Sequence, residues 1–135
     1  MTRREGMYEI SVEKHIDAAH YLRDYKGKCE NLHGHRYTIV VKVSAEKLNE
    51  IGLAYDFTDL KAHLSDILER YDHTCLNDVK PFDKINPSAE NLAATIYNEL
   101  KKKLPSYAKA SEGRGVTLTS VAAFETPEQG VEYSP

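Results

Sequence analysis

The chain has 135 residues, 41% of them apolar, and a formal charge of -3 at neutral pH, which suits one domain with a core large enough to fold unaided. Without a longer basic block than Lys101-Lys102-Lys103, which reads as a solvated helix end, the composition argues against a nucleic-acid surface. No apolar stretch approaches the ~20 residues that span a bilayer, and no signal-peptide core follows residues 1–6, so a cytoplasmic protein without membrane contact is expected, with Cys29 and Cys75 as free thiols.

A single domain is expected over residues 7–133, behind an N-terminal extension of residues 1–6. Tyr8, Ile10 and Val12 alternate with Glu9, Ser11 and Glu13, which predicts a strand over residues 7–19 that ends at His20. A polar loop with Lys26, Gly27 and Lys28 leads to Cys29-Glu30-Asn31-Leu32-His33-Gly34-His35. Tyr37, Ile39, Val41 and Val43 then alternate with Thr38, Lys42 and Ser44 in a second strand, residues 34–46. After Gly52 the period changes: Phe57, Leu60, Leu64, Ile67, Leu68 and Tyr71 mark an amphipathic helix opening near Asp56 or Thr58, with His63 on its solvated side.

Asp72-His73-Thr74-Cys75-Leu76-Asn77-Asp78 leaves that helix for a loop containing Pro81 and Pro87, and Cys75 is expected to be buried and inert. Ser88 can cap a second helix carrying Leu92, Ala93, Ile96 and Leu100, which Pro105 stops. Residues 106–115 read as a loop. Val116, Leu118, Ser120, Ala122 and Phe124 alternate with Thr117, Thr119, Val121 and Ala123 in a third strand ending at Glu125 and Pro127, and residues 130–133 form a short fourth. The order predicts an α+β fold, a four-stranded antiparallel sheet with two helices packed on one face. Its exposed edges make sheet continuation between subunits an expectation.

The chemistry gathers at the first two strands. Residues two apart on a strand share a face, so His33 and His35 form a plausible pair of metal ligands, with Gly34 allowing close approach. If the strands pair as an antiparallel ribbon, His20 meets the pair at the same end. Three imidazoles on rigid strands describe an open, catalytic zinc site better than a closed structural one. Cys29 lies close to the histidines, and a nearby cation favours a reactive thiolate. Asp72 beside His73 is a weaker signal: a carboxylate can fix an imidazole's tautomer and make it a base for a thiol. Glu125 ends an apolar strand, where a buried carboxylate needs either a structural hydrogen bond or a guanidine-like substrate edge.

Taken together, Ala18-Ala19-His20, Cys29 to His35 with its H-G-H, Asp56-Phe57, Asp72-His73 followed by Leu76-Asn77, Pro87-Ser88-Ala89-Glu90-Asn91 and Phe124-Glu125-Thr126 resemble the 6-pyruvoyltetrahydropterin and 6-carboxytetrahydropterin synthase family over residues 7–133. The resemblance implies a tunnelling fold in which three subunits close a twelve-stranded barrel and two trimers stack into a homohexamer. It implies zinc on the positions matching His20, His33 and His35, with Cys29 as general base and acid and Asp72 and His73 as its relay. It also implies that Glu125 anchors the pterin's amino-pyrimidine edge while Glu90 and Ser88 line the pocket. Ala89 stands where the family often has a second hydroxyl.

The three residues between Cys29 and His33 resemble the bacterial queuosine-pathway enzyme, whereas the animal biopterin enzymes have a longer insertion there. The implied reaction converts 7,8-dihydroneopterin triphosphate to 6-carboxy-5,6,7,8-tetrahydropterin with release of acetaldehyde and triphosphate. Glu30 also sits where a folate-pathway variant has its acting glutamate, E-x-x-H-G-H, so the C-E-x-x-H-G-H string is similar to a bifunctional type that also yields 6-hydroxymethyl-7,8-dihydropterin. The bland reading of Glu30 is a solvated loop carboxylate. Two further readings stay open: a small hydrolase using zinc hydroxide, and a non-catalytic module clipped by structural zinc.

Overall fold

A computed structural model describes residues 6–104 and 116–135. The loop expected over residues 106–115 and most of the N-terminal extension lie outside the described residues. The elements are β1 (Tyr8–His20), β2 (His33–Ala45), α1 (Phe57–Leu68), β3 (Thr74–Cys75), α2 (Ala89–Lys103), β4 (Thr117–Thr126) and β5 (Gln129–Tyr133).

The sheet order is β3-β1-β2-β4-β5, antiparallel throughout except where β3 runs parallel to β1. Four strands are the expected ones. β3, the fifth, is two residues that pair with Ala18 and Ala19 inside the stretch expected to be loop. Such a short strand is created by its neighbour and has no periodicity of its own.

The two helices cover one face because most of the periodic apolar positions of β1 and β2 point there. Val12, Ile16 and Ala18 of β1 and Tyr37, Ile39, Val41 and Val43 of β2 are buried with Leu60, Leu64, Ile67 and Leu68 of α1 and with Leu92, Ala93, Ile96, Tyr97 and Leu100 of α2. At about 1.5–3 kcal/mol for each fully buried large apolar side chain, this layer is the main source of stability. Asp56 opens α1 by accepting from Thr58 N at 2.8 Å, and Ser88 opens α2 by accepting from Asn91 N at 3.1 Å.

β4 departs from simple alternation. The register against β2 slips between Lys42 and Val43, where Lys42 faces Ser120 but Val43 faces Leu118, leaving Thr119 as an extra residue. The bulge changes the parity: Leu118 lies in the core, but beyond Thr119 the core positions are Val121 and Ala123 rather than Ala122 and Phe124. Continued by two residues, that parity carries Glu125 to the helix-covered face, the face of the three histidines.

A three-histidine candidate metal centre

In the β1–β2 register His20 faces His33 and Ala18 faces His35, so a thirteen-residue ribbon sets all three rings at one end of one face. Their ring centroids stand 4.6, 4.9 and 5.1 Å apart, edge-on to each other, and Tyr37 packs edge-on beneath His20 and His35. One nitrogen from each ring falls within 4.8 Å of the others.

The tautomers follow from the hydrogen bonds. His20 Nδ1 lies 2.7 Å from the carbonyl of Pro87 and His33 Nδ1 lies 2.8 Å from that of Asn31. A carbonyl only accepts, so each Nδ1 carries the hydrogen, and in the neutral ring each Nε2 then presents a lone pair. These two Nε2 atoms are 3.1 Å apart, and the Nε2 of His35 is buried without a hydrogen-bond partner among the described residues. Burial, reinforced by the neighbouring imidazoles, holds His35 below its ordinary pKa against the opposing pull of Glu125 and Glu30, which favours the neutral ring that a metal requires.

The set fits a divalent ion. Metal–nitrogen bonds of about 2.0–2.1 Å in a tetrahedron place two ligand nitrogens about 3.3 Å apart, close to the spacing of His20 and His33. Carbonyls behind two of the rings are the outer partners that metal-bound histidines ordinarily have. Three neutral nitrogen ligands leave coordination room for a further oxygen donor.

The rings open onto a cavity of about 460 Å³, whose wall includes Leu22, Glu30, Ser88, Glu90, Glu125 and Gly130. Glu125 Oε2 lies 3.5 Å from His20 Nε2 and 3.9 Å from His35 Nε2. Ser88 uses its oxygen as an acceptor for the α2 cap, so its hydroxyl hydrogen remains available to a ligand. Glu90 sits in the first turn of α2, where the helix dipole also favours a carboxylate.

The structure thus brings together seven of the ten residues singled out by sequence: His20, His33, His35, Glu30, Ser88, Glu90 and Glu125. Within one chain it does not bring in the other three. Cys29 is exposed, and its neighbour Glu30 supplies the cavity wall. Asp72 and His73 form their pair, Nδ1 to Oδ2 at 3.1 Å, but on the outer side of β1, where Asp72 accepts from Asp17 N and the His73 ring is 77% exposed. Cys75 is half-buried rather than buried, and His63 is half-buried rather than solvated. Sequence reading missed Leu22, Gln129, Gly130 and Val131 in the wall; β5 enters only because the hairpin returns beside Glu125.

Fold and site define a class, an antiparallel α+β domain of the tunnelling-fold type with three histidines able to hold a metal ion. The sequence model of the 6-pyruvoyl tetrahydropterin synthase family matches residues 9–135, and the chain belongs to this family of enzymes. It is 37% identical over 132 residues to the 6-carboxy-5,6,7,8-tetrahydropterin synthase of Synechocystis, covering 94% of this chain and 93% of that one. It is 32% identical over 133 residues to the protein of the same name from Bacillus subtilis, covering 95% and 86%. The Caenorhabditis elegans 6-pyruvoyl tetrahydropterin synthase structure is similar at a TM-score of 0.82 and 28% identity, with 99% of each chain covered. No helix among the described residues is long and apolar enough to cross a membrane.

Proposed function

We propose that the protein is a zinc-dependent carbon–oxygen lyase that converts 7,8-dihydroneopterin triphosphate to 6-carboxy-5,6,7,8-tetrahydropterin, releasing acetaldehyde and triphosphate, as a step towards queuosine. The observation that carries this is the convergence of three ring nitrogens, two of them locked as lone-pair donors by carbonyls, on the wall of a cavity that also holds carboxylates. The bacterial relatives supply the product name.

Zinc bound here would supply Lewis acidity to substrate hydroxyls, making the adjacent C–H bonds more acidic. The remaining work falls to side chains of the chain itself. Glu125 would accept paired hydrogen bonds from the amino-pyrimidine edge, and the free hydroxyl hydrogen of Ser88 would donate to the ring. Cys29 would take and return a side-chain proton, with the imidazole of His73, oriented by Asp72, as its relay. Because Cys29 and His73 are both exposed, the relay is proposed to form across a subunit boundary in a homohexamer, a dimer of trimers.

Metal-loaded protein incubated with dihydroneopterin triphosphate should yield the carboxytetrahydropterin and acetaldehyde; no turnover of fresh substrate would overturn the proposal. Cys29→Ala should abolish that product while the metal stays bound, whereas a zinc-hydroxide hydrolase would keep its activity. One observation favours a second, bifunctional activity: within one chain it is Glu30, held by Leu22, that faces the cavity. Glu30→Ala should then reduce 6-hydroxymethyl-7,8-dihydropterin formation more than carboxytetrahydropterin formation, and equal loss of both would remove its separate role.

A further inference from the structure

Beyond the cavity wall, the three residues that follow His20 are gripped from both sides. On one side Leu22 pairs with Glu30: Glu30 N donates to Leu22 O at 2.9 Å, and Leu22 N donates to the Glu30 carboxylate at 3.2 Å. On the other side two asparagine side chains take the place of a neighbouring strand. Asn77 accepts from Tyr21 N at 3.0 Å and donates to Tyr21 O at 2.9 Å. Asn86 does the same with Arg23, at 2.8 and 3.0 Å. Backbone groups of an extended chain alternate in direction, so two carboxamides spaced to meet residues 21 and 23 continue the pairing that β3 begins at Ala18 and Ala19.

The grip is fastened further. Arg23 donates to Phe82 O at 2.8 Å and, more weakly, to Ile85 O at 3.3 Å and Asn77 O at 3.4 Å, while Asn91 Nδ2 donates to Asn86 O at 2.8 Å. Pro87, the residue after Asn86, carries the carbonyl that receives the hydrogen of His20 Nδ1. His20 is 2% exposed, so no solvent competes for that bond. The loop before α2 is therefore tied, through Asn86, to the short segment that directly follows the histidine it orients.

We propose that Asn86, supported by Arg23 and Asn77, is a positioning residue for His20: it holds the Pro87 carbonyl where it fixes the Nδ1–H tautomer and aims Nε2 at the metal position. The inference rests on the metal-site reading above. None of the three residues touches the reacting atoms. Their effect is transmitted through one carbonyl, the kind of outer partner whose loss costs metal sites about 10–100-fold in affinity.

The test uses the full chain, with cobalt(II) as the probe. Asn86→Ala should weaken cobalt binding by about 10–100-fold and alter the visible cobalt spectrum. In the metal-free protein, nitrogen NMR of His20 should change from a single Nδ1–H form to a mixture of tautomers. Glu99→Gln serves as the control, because it loosens the Arg70–Tyr71–Glu99 network elsewhere in the fold without touching Pro87. It should leave affinity, spectrum and tautomer unchanged even if it costs stability. A folded Asn86→Ala protein with wild-type cobalt affinity and tautomer would overturn the proposal. Should that variant not fold, Arg23→Lys decides: it keeps both bonds from Asn86 to the backbone and removes the fork onto the loop carbonyls, and an unchanged affinity and tautomer would be equally fatal. Wild type that binds no cobalt would count against the metal reading itself, and the tautomer measurement would still settle the clamp.

Discussion

At the scale of single residues, what a position can do is decided by which face it occupies and what saturates its polar atoms. The H-x-H spacing and the strand end at His20 were readable because a two-residue period is unambiguous, and the register then placed His20 opposite His33. Cys29 and Glu30 stand in an irregular connection, where adjacent side chains diverge, and within one chain Glu30 takes the inward place while Cys29 is exposed. Glu125, proposed above to hold the pterin edge, gives a first test. Glu125→Gln is expected to weaken pterin binding by about tenfold or more while leaving bound metal at wild-type stoichiometry, since a neutral amide accepts only one of two paired hydrogen bonds. Loss of metal, checked by elemental analysis, would instead make Glu125 a ligand.

Tyr37 gives a second test at this scale. Its hydroxyl is buried with no partner among the described residues, and burial, with Glu125 and Glu30 nearby, raises its pKa above the usual tyrosine value. A raised pKa means that the neutral form is the one the fold accommodates. The sign is therefore that stability is intact below about pH 10, the unfolded value, and is lost as pH climbs towards the folded value. Tyr37→Phe should hold wild-type stability at pH 7 to within about 1 kcal/mol, or exceed it, and show a shallower alkaline loss in urea titrations. A large destabilisation at neutral pH would reveal a partner for the hydroxyl.

At the scale of elements, the three long strands and both helices were legible because each carries enough periodic apolar positions to outweigh local ambiguity, while the short β5 offers only Val131 and Tyr133 after its turn. Three features were not. β3 exists only as a neighbour of β1, the Thr119 bulge is a property of two strands together, and the asparagine grip on residues 21–23 depends on loop residues 54 or more positions away. The bulge matters most, because alternation read straight through β4 would put Phe124, not Glu125, on the core face. Helix packing makes a simple prediction: Ile96→Ala, at a fully buried position of α2, should cost about 2–5 kcal/mol in chemical denaturation. A cost below about 1 kcal/mol would mean that α2 is not packed as described.

At the scale of the whole molecule, the sheet ends without closing. Among the described residues, β1 from Tyr8 to Ile16 has no partner strand on its outer side, and β5 lies at the other edge. Open edges of this kind favour continuation into a neighbouring copy. The homohexamer proposed above would use them, and it would let the exposed His73 of one subunit reach the exposed Cys29 of another. Mixing inactive Cys29→Ala and His73→Ala subunits should then restore part of the activity, because some boundaries would combine an intact thiol with an intact imidazole. No recovery in mixed oligomers shown to have formed would place the relay within one chain or remove it.

The proposed chemistry turns on the metal, and one comparison reaches it directly: turnover of dihydroneopterin triphosphate by wild type and His20→Ala, before chelation, after it and after zinc is returned. We predict one zinc per chain in active wild type, loss of product on stripping, recovery on restoration, and no product at any stage from His20→Ala. Undiminished turnover by thoroughly stripped wild type would contradict a catalytic metal on the three histidines.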